Sequence, residues 1–141
     1  MADVKGYKFP TALYYWKDHT WAKFEEGGRA RVGITDLAQD NAGKLLYIKT
    51  RRVGSVVNQG ETFGTMEAFK WVGPLKAPLS GTITQINQKL KTKPSLANED
   101  PYGEGWFVVI EPSNIEDEIG KLYHGDVLTD WVKGLLKKLM V

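Results

Sequence analysis

The chain has 141 residues, of which 42% are hydrophobic and 26% are charged. This length favours a single domain, and this composition is that of a folded globular protein. The formal net charge of +2 is too small for the basic surface that nucleic-acid-binding proteins carry. We therefore expect one domain over residues 1–141 and no nucleic acid among its partners.

The residue types behind several common chemistries are scarce in this chain. It has no cysteine, so it has no thiol nucleophile and no cysteine-ligated zinc or iron–sulfur cluster of its own. The two histidines, His19 and His124, lie far apart and belong to no recognisable metal-ligand motif or nucleophile–base arrangement. We therefore expect no metal and no catalytic residue, and any sulfur chemistry must come from an added group.

Membrane insertion and export are not indicated by the sequence. No apolar run approaches the ~18 residues that a membrane-spanning helix needs. Residues 1–5 lack the apolar segment of a secretory signal. We therefore expect a cytoplasmic protein without a membrane partner.

The first predicted elements are a hairpin and a short helix. Residues 14–34 alternate bulky and small or polar side chains around a Gly-Gly turn, which predicts two antiparallel strands. A short helix is predicted near residues 35–42, with Thr35 or Asp36 as its N-cap and Gly43 at its end. This pairing of a hairpin with a capped helix opens the domain.

The rest of the chain reads as short strands followed by one longer helix. Residues 45–48 are a continuous apolar run, which predicts a buried strand, and residues 106–110 form a second such run. A hairpin is predicted around residues 60–83, where strand-like pieces are separated by glycine. Apolar residues recur at helical spacing over about 126–140, which predicts a C-terminal amphipathic helix with its apolar side on the core. The pattern favours a β-sandwich or barrel.

Lys70 has a setting unlike that of an ordinary surface lysine. It lies in the middle of the predicted hairpin, next to Phe69 and Trp71. Apolar side chains at a turn are costly to expose unless another molecule recognises them. A lysine at the tip of a stiff hairpin presents its amine to a modifying enzyme without needing a pocket. We therefore interpret Lys70 as an attachment point.

The hairpin sequence resembles the modification hairpin of the lipoyl- and biotinyl-carrier family, whose central lysine carries the cofactor. Residues 67–70 read Glu-Ala-Phe-Lys, and residues 78–81 read Pro-Leu-Ser-Gly. Residues 76–83 are as similar to biotin carriers as to lipoyl carriers. Biotin carriers usually place methionine on both sides of the lysine, and this chain has Phe69 and Trp71 there. A biotin carrier is therefore the less favoured alternative.

Over nearly its whole length, the chain resembles the glycine cleavage H-protein family. The matching stretches are YxxxHxW at 15–21, GITDLAQ at 33–39, VG at 53–54, GExFG at 60–64, PxSG at 78–81, IN at 86–87, PxLxN at 94–98 and PYGEGW at 101–106. That combination, in this order and before a C-terminal helix, is highly specific. The resemblance implies a mostly β fold, a barrel-sandwich hybrid of the lipoyl/biotinyl-carrier type.

The resemblance also implies a cofactor and partners. Lipoate would be amide-linked to Lys70, and Glu67 would be recognised by the lipoylating enzymes; a solvated charge at a strand end is an equally good interpretation of Glu67. The chain would be a non-catalytic carrier that moves an aminomethyl group among glycine decarboxylase, aminomethyltransferase and dihydrolipoamide dehydrogenase. Tethering would make each delivery a local encounter at high effective concentration.

The expected surroundings of the arm are His19, Thr20, Phe69 and Trp71, and the chain departs from the family pattern at Thr20 and from Trp71 onward. The family usually has an acid where this chain has Thr20, near the cleft for the loaded arm, so a cationic amine would lose a Coulomb partner there. This difference slightly favours a second function. In it, the chain is an H-like lipoate-binding protein that carries sulfur for a heterodisulfide-reductase-like sulfur-oxidising complex. An unmodified binding domain with the same fold is a further alternative.

Overall fold

The computed structural model describes residues 2–4 and 6–139. The strands are β1 Ala2–Val4, β2 Tyr7–Phe9, β3 Tyr14–Tyr15, β4 Thr20–Phe24, β5 Ala30–Ile34, β6 Leu45–Thr50, β7 Val56–Val57, β8 Thr62–Ala68, β9 Val72–Lys76, β10 Gly81–Ile86 and β11 Val108–Pro112. The α-helices are α1 Asp36–Ala42, α2 Lys89–Thr92, α3 Leu96–Glu99, α4 Ile115–Glu118 and α5 Asp126–Leu139.

Two antiparallel sheets form the body of the protein. One has six strands in the order β3-β4-β5-β11-β10-β7, and the other has three strands in the order β6-β8-β9. The main apolar cluster joins them, with Val32 and Ile110 from the six-stranded sheet and Phe63 and Leu75 from the three-stranded sheet, all buried. The mostly β, barrel-sandwich fold expected from the sequence is confirmed.

Helix α1 begins and ends as its sequence predicts. Thr35 is the N-cap, and its Oγ1 accepts a hydrogen bond from the Ala38 N–H at 3.1 Å. At the other end, the Gly43 N–H donates to the carbonyls of Gln39 and Asp40. Gly43 has a φ of 81° and a ψ of −168°, a conformation that is essentially restricted to glycine. The helix is therefore fixed at both ends, and its last turn faces the tip of the β8–β9 hairpin.

Helix α5 confirms the predicted C-terminal amphipathic helix. Leu128 and Val132 are buried and pack in a cluster with Phe9 and Tyr15. The Trp131 ring lies 5.8 Å from that of Phe9, in an edge-to-face arrangement. The predicted last helical residue, 140, lies outside the described residues. Within the described residues, no helix has the length and apolar character needed to span a membrane.

The predicted burial of residues 45–48 is wrong in part. Residues 45–50 form strand β6, and Leu45 is buried, but Leu46 and Tyr47 are 45% and 56% exposed. The cause is the position of β6 at the edge of the three-stranded sheet, with a shift in its pairing to β8 between Leu45 and Tyr47. An apolar run does not distinguish a strand covered on both faces from an edge strand with one free face.

Candidate functional site

Lys70 lies at the tip of the β8–β9 hairpin. The strands pair in antiparallel register up to Glu67 opposite Val72, and the Ala68 N–H donates to the Trp71 carbonyl at 2.9 Å across the turn. Phe69 and Lys70 are exposed at this tip. The side chain of Lys70 has no hydrogen bond or ion pair within the described part of the chain. Its amine is therefore available to another molecule.

Backbone hydrogen bonds from outside the hairpin hold this tip in place. The Lys70 N–H donates to the Ala42 carbonyl at 2.8 Å, at the end of α1. The Phe69 N–H donates to the Lys44 carbonyl at 3.2 Å, just beyond that helix. Both bonds act on the backbone, so they fix where the lysine side chain starts and leave the side chain itself free to move.

Gly43 lets the tip approach α1 this closely. A Cβ atom at Gly43 would lie 3.3 Å from the Lys70 Cε and 3.3 Å from the Phe69 Cβ. Nine in ten real Cβ contacts are longer than this. Gly43 therefore serves two purposes, since it supplies the positive-φ end of the helix and leaves space for the tip of the β8–β9 hairpin.

A cleft of about 320 Å³ opens beside Lys70. Its apolar lining comes from α1, from the hairpin strands and from the end of β5: Ile34, Ala38, Ala42, Met66, Trp71, Pro74 and Leu75. Its polar lining is Asp18, His19 and Asn41, together with Lys70 itself. The cleft thus combines apolar walls with a carboxylate, a combination able to hold a mostly apolar arm that ends in a cation.

His19 is held at the cleft by its backbone and its ring. Its φ of 68° makes it the non-glycine residue with positive φ among the described residues. Its N–H donates to the Trp16 carbonyl and its carbonyl accepts from the Thr35 N–H, both at 2.9 Å. The ring Nδ1 lies 3.1 Å from the Thr35 Oγ1, and the ring centre lies 5.1 Å from that of Trp131. A strained backbone fixed by several contacts is typical of functional sites.

Asp18 is a cleft residue that the sequence reasoning did not single out. It is exposed, and its carboxylate accepts a hydrogen bond from the Trp16 indole N–H at 3.0 Å. That bond keeps the carboxylate on the turn between β3 and β4, which carries His19. Its only signal in the sequence is its position immediately before His19.

Thr20, which the sequence places among the surroundings of the arm, does not line the cleft. Its side chain is only 1% exposed, and its hydroxyl donates to the Lys76 carbonyl at 2.8 Å. Thr20 begins β4 in the six-stranded sheet and Lys76 ends β9 in the three-stranded sheet, so this bond joins the two sheets. The absence of an acid at position 20 therefore does not leave the cleft without a carboxylate, because Asp18 supplies one.

The two aromatic neighbours of Lys70 have different surroundings. Phe69 is 70% exposed and is not part of the cleft. Trp71 is 42% exposed and lines it. A Cβ atom at Gly73 would lie 2.4 Å from the Trp71 Cζ2, so the indole lies directly over the backbone of β9. Trp71 therefore forms one wall of the cleft, and Gly73 leaves the space for it.

Glu67 lies on the outer face of the hairpin. On β8 it is paired with Tyr47 of β6 on one side and Val72 of β9 on the other. It is exposed, and its carboxylate has no hydrogen bond or ion pair within the described residues. Because Glu67 lies three residues before Lys70, its carboxylate is close to the hairpin tip and accessible to another molecule.

The comparisons with known proteins agree on one family. A family model described as "Glycine cleavage H-protein" matches residues 13–134. A Thermococcus gammatolerans protein named "Probable glycine cleavage system H protein" is 39% identical over 135 residues, covering 96% of this chain and 100% of that protein. The "Glycine cleavage system H protein" of Acinetobacter baumannii is 45% identical over 108 residues, covering 77% of this chain and 86% of that protein.

A solved structure supports the same family. The crystal structure of a glycine cleavage system H protein from Mycobacterium marinum superposes with a TM-score of 0.78 and 31% sequence identity. The match covers 89% of this chain and 98% of that chain. The chain therefore belongs to the glycine cleavage H-protein family.

Proposed function

We propose that this protein is a non-catalytic lipoate carrier that moves an aminomethyl group on an arm attached to Lys70. The observation that carries the proposal is the position of Lys70: an exposed amine on a fixed hairpin tip, at the rim of a cleft. Its partners are the lipoylating enzymes, glycine decarboxylase, aminomethyltransferase and dihydrolipoamide dehydrogenase. Its site of action is the cytoplasm.

The residues around Lys70 fit a lipoyl group. When attached, lipoate supplies the dithiol and disulfide chemistry that a chain without cysteine lacks. Lys70 offers an amine that no carboxylate of the described residues engages. Trp71, Met66 and Leu75 offer apolar and polarisable contacts to an aliphatic, sulfur-containing chain. The exposed Glu67 offers a charge by which a lipoylating enzyme selects this lysine.

Asp18 favours the aminomethyl cargo over sulfur. An exposed carboxylate such as that of Asp18 attracts a nearby cation by roughly 0.2–1 kcal/mol. A neutral sulfur cargo gains nothing from this charge. The carboxylate of Asp18 therefore has a use in the cleft if the arm ends in an amine.

The first test measures attachment. Intact mass of the protein made in a lipoylating host should show one lipoyl adduct, and Lys70→Arg should remove it. Lys44→Arg is the matched control, because Lys44 is an exposed lysine beside the same tip and should leave the adduct in place. An unmodified wild-type protein, or a clear streptavidin signal for biotin, would contradict the choice of cofactor.

The second test measures the cargo. The lipoylated protein is offered labelled glycine with glycine decarboxylase while its lipoyl group is in the disulfide form, so that the new carbon–sulfur bond replaces the sulfur–sulfur bond. In a parallel sample the lipoyl group is reduced to the dithiol and offered a sulfane-sulfur donor, and the mass of the protein is followed in both. Glycine carbon should load on the wild-type protein and not on Lys70→Arg. Efficient loading from the sulfane donor without loading from glycine would replace the aminomethyl carrier with the sulfur carrier.

A further inference from the structure

A second cavity, separate from the Lys70 cleft, opens on the outside of β6. Its volume is about 470 Å³, and it shares no lining residue with the cleft. It lies between β6, the end of β10 and helix α2. We call it the β6 groove.

The β6 groove has an apolar base and an apolar lip. Leu90 and Phe107 are buried at its base, and Ile48 is half-buried beside them. Leu46 and Tyr47, which also line it, are 45% and 56% exposed. Two adjacent large apolar side chains exposed beside a cavity are typical of a surface that binds another molecule.

The charge of the β6 groove has a single sign. Lys49, Arg52 and Lys91 line it, and no aspartate or glutamate is among its described lining residues. The ion pairs of the described residues, which include one made by the neighbouring Arg51, involve none of these three cations. Within the part of the chain that the structure describes, this local positive charge is not neutralised, so it favours an anionic partner.

The β6 groove is lined by a strand that is paired directly with the hairpin that carries Lys70. Strand β6 pairs with β8, with Leu45 opposite Ala68 and Tyr47 opposite Glu67. A protein bound at the groove is therefore held at a fixed position relative to the hairpin tip. Such anchoring raises the effective concentration of an active site around the tethered arm.

We propose that the β6 groove is the docking site for an acidic segment of an enzyme that acts on the Lys70 arm. That segment places one or two apolar side chains in the cavity and carboxylates against Lys49, Arg52 and Lys91. The volume of the cavity suits side chains rather than a whole helix. The choice of an arm-handling enzyme rests on the proposed function, whereas the acidic and apolar character of the segment rests on the groove alone.

The test is a charge reversal with a matched control. The groove variant combines Lys49→Glu, Arg52→Glu and Lys91→Glu, and the control combines Lys23→Glu, Lys121→Glu and Lys133→Glu, three exposed lysines outside the groove. The Kd of each protein is measured with purified lipoylating enzyme, glycine decarboxylase and aminomethyltransferase at low and high salt. The groove variant should weaken binding to at least one enzyme about tenfold or more at low salt, and the control by less than about twofold.

A second variant and a second background keep the test decisive. Tyr47→Ser removes an apolar contact without changing charge and should weaken the same complex. Every Kd is also measured in the Lys70→Arg background, because docking needs no arm and is readable even if the chain is not a lipoyl carrier. Groove-variant Kd values that all stay within twofold of wild type would overturn the proposal. Self-association of the wild type that the groove variant abolishes would also overturn it, in favour of a second copy of this chain.

Discussion

Replacing Gly43 by alanine tests whether the end of α1 positions Lys70. The substitution keeps the N–H that closes the helix but adds a Cβ atom at a φ of 81° and a ψ of −168°, a conformation essentially restricted to glycine. That atom would lie 3.3 Å from both the Lys70 Cε and the Phe69 Cβ. The lysine side chain can rotate away, but the Phe69 Cβ is bonded to the backbone, so the hairpin tip itself has to move by a few tenths of an ångström.

An alanine at position 43 has a conformational cost and a steric cost, and a second variant distinguishes the two. A non-glycine residue forced into a positive-φ conformation costs about 1–3 kcal/mol, and the conformation of Gly43, with a ψ of −168°, is one that is essentially restricted to glycine. Gly28 has a φ of 80° and would have nothing within 4 Å of an added Cβ atom. Gly28→Ala therefore measures the cost of a side chain at positive φ without a steric contact. Gly43→Ala should lose that free energy of unfolding and in addition disturb the hydrogen bonds between the tip and α1.

The assays are urea unfolding for stability and the initial rate of lipoylation for function. Gly28→Ala should lose about 1–3 kcal/mol of unfolding free energy and Gly43→Ala at least as much, while only Gly43→Ala should be lipoylated more slowly at a concentration below saturation. Amide NMR shifts of Phe69 and Lys70 should change in Gly43→Ala and stay unchanged in Gly28→Ala. Equal lipoylation rates and unchanged tip shifts in the two variants would refute the claim that α1 positions the lysine.

Three further variants address the cleft and the hairpin. Glu67→Gln should slow lipoylation about tenfold with an unchanged Tm, since a factor of this size corresponds to the loss of one charge-assisted hydrogen bond. Glu116→Gln, at another exposed glutamate, is its control, and an unchanged rate in Glu67→Gln would show that Glu67 is only a solvated charge. Asp18→Asn should speed loss of the aminomethyl cargo about two- to fivefold at low salt, as expected for an exposed ion pair, and equal rates would exclude Asp18 as its partner. Gly73→Ala should shift the indole N–H resonance of Trp71, because the indole has to leave the space over β9; an unshifted resonance would contradict that wall.

Local patterns in the sequence predict the local elements of this protein well. The cap at Thr35 and the end of α1 at Gly43 follow from side-chain and backbone chemistry within a few residues, and both are confirmed. The exposed Lys70 at a hairpin tip follows from the strand pattern on each side of it. The bond from Lys70 to the Ala42 carbonyl has no such signal, since any residue type presents the same backbone groups. Attachment of lipoate to Lys70 itself stays a prediction.

The positions of Thr20 and Asp18 show why a cleft is harder to predict than a strand. The family pattern predicts that position 20 lies near the cleft. In the structure, the Thr20 side chain is buried, and its hydroxyl joins the two sheets by donating a hydrogen bond to the Lys76 carbonyl. Asp18 lies immediately before His19 in the turn between β3 and β4, where His19 has a positive φ. Alternation rules apply to strands and not to such a turn. The carboxylic acid that lines the cleft is therefore placed by the turn, and a comparison restricted to position 20 overlooks it.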